Sequence, residues 1–136
     1  MTRLRLWLLL CTYAPYLGAG IRVTRVSRDL REIDVRMRLR WYNRNYVGTQ
    51  FGGSLYSMVD PFYMLMLLEA LGPGFIVWDQ SAQIRFVRPG RGTVFARFRL
   101  TDEMVAEVRD ALASADVVRP RWSIDVVDEQ GVRVAA

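Results

Sequence analysis

The residues between Asn45 and Asp60 hold the groups best suited to chemistry. They read Asn45-Tyr46-Val47-Gly48-Thr49-Gln50-Phe51-Gly52-Gly53-Ser54-Leu55-Tyr56-Ser57-Met58-Val59-Asp60. An amide side chain, a glycine pair and a carboxylate stand at fixed spacings, and the glycine pair opens a strongly apolar helical stretch. A helix N-terminus with glycines offers bare backbone N–H groups and the positive end of the dipole. Such a site can bind an anion or stabilise a carbonyl oxygen as it gains charge. Asp60 adds a base or nucleophile to the same element.

Helix geometry limits how these groups can cooperate. Asp60 follows Gly53 by seven residues, nearly two turns, so both point to roughly the same side. The same seven residues span about 10 Å along the axis. One carbonyl cannot be held at the Gly53 N–H and attacked through Asp60 of the same chain, because reacting groups must approach to about 3 Å. Either the two residues serve different sites, or two antiparallel copies of the helix pair and Gly53 of one chain meets Asp60 of another. The second arrangement gives a symmetric dimer with two equivalent composite sites.

Composition narrows the chemistry. The chain has 136 residues, 51 % hydrophobic and 24 % charged, an ordinary soluble profile for one domain with a real core. It contains no histidine. That removes Ser-His-Asp and Cys-His schemes, histidine bases, the usual transition-metal sites, and hydratases that depend on a histidine. Cys11 is the only cysteine, so no internal disulfide and no cysteine zinc cluster can form. This usage fits a reducing cytoplasm. The net charge is +5 and every basic residue is an arginine. Arginine suits bidentate phosphate contacts, but a solvated sheet face accounts for the same residues. The basic residues are spread along strands and turns without the aromatic-basic motif of an RNA-binding sheet, so no nucleic acid is expected.

The elements that must position the site follow from periodicity and punctuation. Residues 3–14 read as a helix closed by Pro15 and Gly18/Gly20. Its run Leu6-Trp7-Leu8-Leu9-Leu10-Cys11 follows Arg3 and Arg5 and faintly resembles a signal peptide. The run is short, no clear small-residue cleavage site follows it, and it cannot span a bilayer. A helix packed on the domain is expected, with membrane association as the weaker reading. Residues 21–27 and 32–41 read as strands. In the second, Ile33, Val35, Met37, Leu39 and Trp41 alternate with Asp34, Arg36, Arg38 and Arg40. A loop over 42–51 leads to the longest apolar helix, 52–71, with a kink expected at Pro61 and a stop at Gly72-Pro73-Gly74. Strands are expected at about 75–87 and 92–100. A helix capped by Thr101 should run to about Ser114, followed by strands at 119–128 and at the C-terminus. The fold class is α+β, an antiparallel sheet wrapped around one long central helix. A single domain covers 1–136, with a helical extension at about 1–19.

The stretch 45–60 resembles the hotdog-fold acyl-CoA thioesterases, particularly the small phenylacetate-pathway type. Their pattern is Asn, a short loop, His-Gly-Gly, then Asp on the helix; Asn45, Gly52, Gly53 and Asp60 match its spacing. The surrounding Gly48 to Tyr56 and Val77-Trp78-Asp79 are similar to an uncharacterised thioesterase-like bacterial branch of the same fold. The resemblance spans about residues 20–136. It implies that the Gly53 N–H polarises a thioester carbonyl and that Asp60 of the partner chain acts as general base or nucleophile. Asn45 would orient water or substrate. It further implies a homodimer, with tetramers as a further packing, and an acyl-CoA substrate without a separate cofactor. Phe51 stands where the family has histidine.

Phe51, Gly52, Tyr56 and Ser57 are the candidate substrate contacts beside these residues. Arg85, Arg88 and Arg91 flank a Pro-Gly turn and could hold the phosphates of coenzyme A. Each residue also has a plainer reading. The glycines would equally serve close packing, Asn45 would fix its loop through local hydrogen bonds, and Asp60 would pair with an arginine or across an interface. Asp79 is a further acid with no partner evident from the sequence. A non-catalytic acyl or acyl-CoA binding protein on the same fold is the alternative function.

Overall fold

A computed structural model describes all 136 residues. Its elements in chain order are α1 (Arg3–Thr12), α2 (Ala14–Ala19), β1 (Ile21–Val26), β2 (Glu32–Met37), α3 (Gly52–Ser57), α4 (Phe62–Leu71), β3 (Val94–Arg99), α5 (Asp102–Leu112), β4 (Val126–Asp128) and β5 (Arg133–Ala135). The five strands form one antiparallel sheet in the order β1-β2-β3-β4-β5.

Alternation builds the core face of that sheet. Ile33, Val35 and Met37 of β2 are buried and pair with Phe98, Ala96 and Val94 of β3. Their neighbours Glu32 and Asp34 lie on the other face, where Arg99 reaches Asp34 at 2.7 Å and Arg25 reaches Glu32 at 2.5 Å. Several sheet arginines are therefore used in cross-strand ion pairs, as a solvated face requires. The register of β1 slips between Val23 and Arg25. This bulge lets Val26 rather than Arg25 turn inward.

The helices cover the core face. The Phe62 ring of α4 packs on Phe98 of β3 at 4.9 Å between centroids, and Tyr16 of α2 packs on Phe62 at 6.0 Å. Leu6 and Leu10 of α1 and Tyr16 of α2 belong to the same buried cluster as the sheet residues. The N-terminal segment thus packs on the domain. Pro15 does not close it: the helix bends at Tyr13, and Pro15 falls in the first turn of α2, where a missing N–H costs nothing.

Four expected elements differ from what forms. The strand expected over 32–41 ends at Met37, because the buried Asn43 side chain takes over the backbone beyond it. Asn43 Nδ2 donates to the carbonyls of Arg38 and Ala19, and its Oδ1 accepts the Arg40 N–H at 2.7 Å. Trp41 is consequently 81 % exposed instead of facing the core. The helix expected over 52–71 is two helices, since Met58 to Pro61 form turns. Pro61 has no N–H to give, and α4 restarts just after it. The strands expected at 75–87 and 119–128 do not form over most of their length. Only Arg85 to Arg88 bond to the outer edge of β5, with Arg85 N–H on the Ala136 carbonyl at 2.7 Å and Val87 N–H on Val134 at 2.8 Å. Of the second strand, only β4 joins the sheet.

Candidate active site

The loop from Arg44 to Phe51 is held by one residue, Asn45. Its Oδ1 accepts the N–H groups of Val47 and Thr49, while its Nδ2 donates to Thr49 Oγ1 and the Gln50 carbonyl. All the hydrogen-bonding capacity of the amide is spent within six residues, a form of Asx turn. Gly48 closes the turn with φ of +81°, a conformation that favours glycine. The next residue, Gln50, is buried and ties this loop to the arginine-bearing turn. Its N–H donates to the Gly90 carbonyl at 2.8 Å, and its Nε2 donates to the carbonyls of Met37 and Gly92. A side chain at Gly90 would lie 2.9 Å from Gln50 Cγ, so glycine there permits the approach.

That anchoring delivers Phe51 as the N-cap residue of α3, with no side chain capping the helix. Ser54 and Leu55 N–H groups return to the Phe51 carbonyl, whereas the Gly52 and Gly53 N–H groups have no partner within the chain. These are two of the orphan donors that every helix start leaves. Gly53 is exposed. Two aromatic rings lie over the glycine pair. A Cβ on Gly53 would stand 2.7 Å from Phe51 Cε1, and one on Gly52 would stand 3.0 Å from Phe86 Cζ. Phe51 and Phe86 are themselves 55 % and 58 % exposed, so both rings are open to solvent on their far side. Arg85, Arg88 and Arg91 are exposed and make no ion pair.

A second group of residues gathers one turn beyond α3. The Asp60 N–H still bonds the Tyr56 carbonyl at 3.1 Å, so the coil continues to Asp60 before breaking. Asp60 is exposed and stands on the side of α3 that carries Tyr56. The Tyr56 hydroxyl lies beside Asp60, and the carboxylate, with burial and the charge of Asp79, pushes its pKa up to about 12. Asp79, from the unpaired stretch after α4, lies close enough for the Asp60 charge to add to partial burial in raising its carboxyl. Structure therefore supplies the neighbour of Asp79 that the sequence hides: a second carboxylate.

Tyr16 completes this group. Its hydroxyl donates to the Ser57 carbonyl at 3.1 Å. Burial first, then the Asp60 charge, hold that phenol far above its ordinary range. Ser57 Oγ is occupied with the Gly53 carbonyl at 2.8 Å, which keeps α3 wound rather than presenting the hydroxyl outward. Asn45, Phe51, Gly52, Gly53, Phe86 and the arginine turn thus converge at one end of α3, and Tyr56, Asp60, Asp79 and Tyr16 at the other. No three acidic or thiol side chains converge as metal ligands. A cavity of about 400 Å³ between α4 and residues 123–127 is lined by Tyr63, Arg97 and Asp125, among others, and by none of the candidate residues.

An antiparallel sheet covered by helices, one of them opening on a glycine pair, is the hotdog fold. More specifically, the chain belongs to the family described as a domain of unknown function, DUF4442, which matches residues 2–136. Among solved structures it is similar to a Pseudomonas aeruginosa protein of unknown function, described as a probable thioesterase. The TM-score is 0.79 at 18 % identity, over 99 % of this chain and 90 % of the other. A thioesterase of Haemophilus influenzae matches with TM-score 0.69 at 19 % identity, over 99 % and 85 % of the two chains. The E. coli PaaI protein of the phenylacetic acid degradation operon matches with TM-score 0.59 at 20 % identity, over 91 % and 79 %. At these identities the likeness shows the fold. No curated protein matches the sequence.

Proposed function

We propose that this protein is an acyl-CoA thioesterase whose active site is completed across a homodimer. The observation that carries the reading is the division of α3 and its following turn into two half-sites. One end has unpartnered Gly52 and Gly53 N–H groups, and the other has an exposed Asp60. Each half lacks what the other supplies, and an antiparallel pairing of two copies brings them together.

In this reading the thioester oxygen accepts from the Gly53 N–H, which strengthens its bond as the oxygen becomes an oxyanion. Asp60 of the second chain takes a proton from water. The water oxygen adds to the carbonyl carbon, the C–S bond breaks, and the coenzyme A sulfur leaves as the proton is returned to it. Direct attack by the Asp60 carboxylate, giving a mixed anhydride that water then opens, uses the same geometry. Asn45 acts by holding the loop that delivers Phe51 and the free N–H groups. Phe51 and Phe86 line the approach to Gly53 with apolar surface suited to an acyl chain, and Arg85, Arg88 and Arg91 stand free beside it for coenzyme A phosphates. Tyr56 stands beside Asp60 and, with its pKa raised to about 12, keeps its proton at neutral pH.

Hydrolysis of a panel of acyl-CoAs by wild type and Asp60→Asn tests the proposal. The account expects release of free thiol by wild type and a loss of at least about a hundredfold in kcat for the variant. Equal turnover by both overturns it. Tight acyl-CoA binding by wild type without turnover supports instead a non-catalytic binding protein, the second reading that the exposed Phe51 ring favours.

A further inference from the structure

We propose that the outer face of α1, continued by α2, is a docking surface for an anionic lipid bilayer. The helix packs inward through Leu6 and Leu10 only. Opposite them Leu4 is 63 % exposed and Leu8 48 %, with Trp7 and Leu9, also exposed, on the two flanks. Leu4 and Leu8 stand one turn apart, and so share a face. Tyr13 and Leu17 extend the apolar surface onto α2. Leucine and an aromatic residue on this outer side are suited to enter the headgroup boundary, and the arginines to meet its charge. No helix of the protein is long and apolar enough to cross a membrane, so the contact would be peripheral.

Charge selects the occupant. All 14 acidic residues lie at Asp29 or later, where 14 of the 19 arginines also lie. Residues 1–28 hold the other five arginines and no carboxylate; of these, Arg25 is paired with Glu32 and Asp34 on the sheet. Arg3 and Arg5, at the start of α1, make no ion pair. A protein partner would cover the leucines equally well, but the two unpaired arginines of the same helix, Arg3 and Arg5, match a negatively charged bilayer. The surface also lies at the β1 side of the sheet, away from the β5 edge that residues 85–88 extend, and is independent of the thioesterase reading.

Co-sedimentation of the full chain with phosphatidylcholine vesicles, with and without phosphatidylglycerol, tests this. Wild type should bind the mixed vesicles at least tenfold more strongly than the neutral ones, with the difference shrinking at high salt. Leu4→Ser/Leu8→Ser and Arg3→Ser/Arg5→Ser should each lower that binding at least tenfold with an unchanged thermal midpoint. The proposal is overturned if wild type stays in the supernatant with both vesicles, or if binding is indifferent to both variant pairs. It is equally overturned if sedimentation velocity shows that Leu4→Ser/Leu8→Ser splits a larger oligomer, since the face would then be covered by a second copy.

Discussion

The Tyr16 hydroxyl donates to the Ser57 carbonyl, the acceptor that Pro61 leaves without a helical partner. In an uninterrupted helix the residue 61 N–H would reach the residue 57 carbonyl. Proline has no N–H, so the carbonyl would be orphaned where α3 gives way to the turn carrying Asp60. A tyrosine from the N-terminal helix pair fills the gap, and its ring packs on Phe62 at the start of α4. The residues at 14–19 thereby set the position of the candidate base, which links the N-terminal segment to the site.

Tyr16→Phe keeps the ring packing and removes only this donor. Its expected cost is about 1 kcal/mol of stability, the net worth of one such hydrogen bond. A several-fold fall in kcat should accompany it, with KM little changed, because the Asp60 turn loosens while the glycine end does not. Urea denaturation and steady-state kinetics on the same preparation check both parts. A variant with lost stability and intact kcat would separate Tyr16 from the site.

Asp79 gives a pH-dependent prediction. Partial burial and then the Asp60 charge raise its carboxyl in the folded protein. The folded state holds that proton more tightly than the unfolded chain does. The stabilisation is therefore fully present below the unfolded carboxyl value and is lost as pH rises through the folded one. At neutral pH Asp79 is an unfavourable charge, so Asp79→Asn should raise the thermal midpoint there. The gain should fade toward about pH 4, near the ordinary carboxylate range. A gain equal at both pH values, or a loss at neutral pH, would contradict the raised carboxyl of Asp79.

The ring of Phe51 and the bare Cα of Gly53 should couple energetically. Gly53→Ala places a methyl 2.7 Å from Phe51 Cε1, and the exposed ring must swing aside. In the Phe51→Ala background that obstacle is absent. A double-mutant cycle on stability is expected to give a coupling of about 0.5 kcal/mol or more, above the additivity expected for residues out of contact. Coupling near zero would mean that the ring does not rest on Gly53 in solution.

Much of this arrangement is legible in the residues themselves. Alternation at Ile33, Val35 and Met37 marks the core face of β2, Thr101 caps α5 as its type predicts, and Gly72 ends α4. The sequence is weaker where a side chain overrides the pattern. Alternation runs on to Trp41, but the buried Asn43 amide captures the backbone at Arg38 and Arg40, and nothing in the period announces it. Pro61 predicts a disturbance, yet its extent depends on Tyr16, more than forty residues away. The apolar run at 75–87 looks like a strand because its residue types are right. Pairing needs a neighbour, and within one chain β5 offers its edge only to residues 85–88. At the site, the carboxylate and glycines stand out by type, whereas the Asp60–Asp79 proximity and the Phe51 and Phe86 rings over the glycines arise only from the fold.

If Gly53 of one chain works with Asp60 of another, mixing subunits that each lack one of the two groups restores a working site. Asp60→Asn removes the base. Gly53→Pro removes the N–H at a first-turn position that tolerates proline. Each variant alone should be inactive on an acyl-CoA that wild type hydrolyses. After denaturation and joint refolding of an equal mixture, half the dimers are mixed, and each holds one intact composite site, so about a quarter of wild-type activity should return. Mixed dimers that form, as shown by differently tagged subunits co-purifying, yet remain inactive would contradict the shared site.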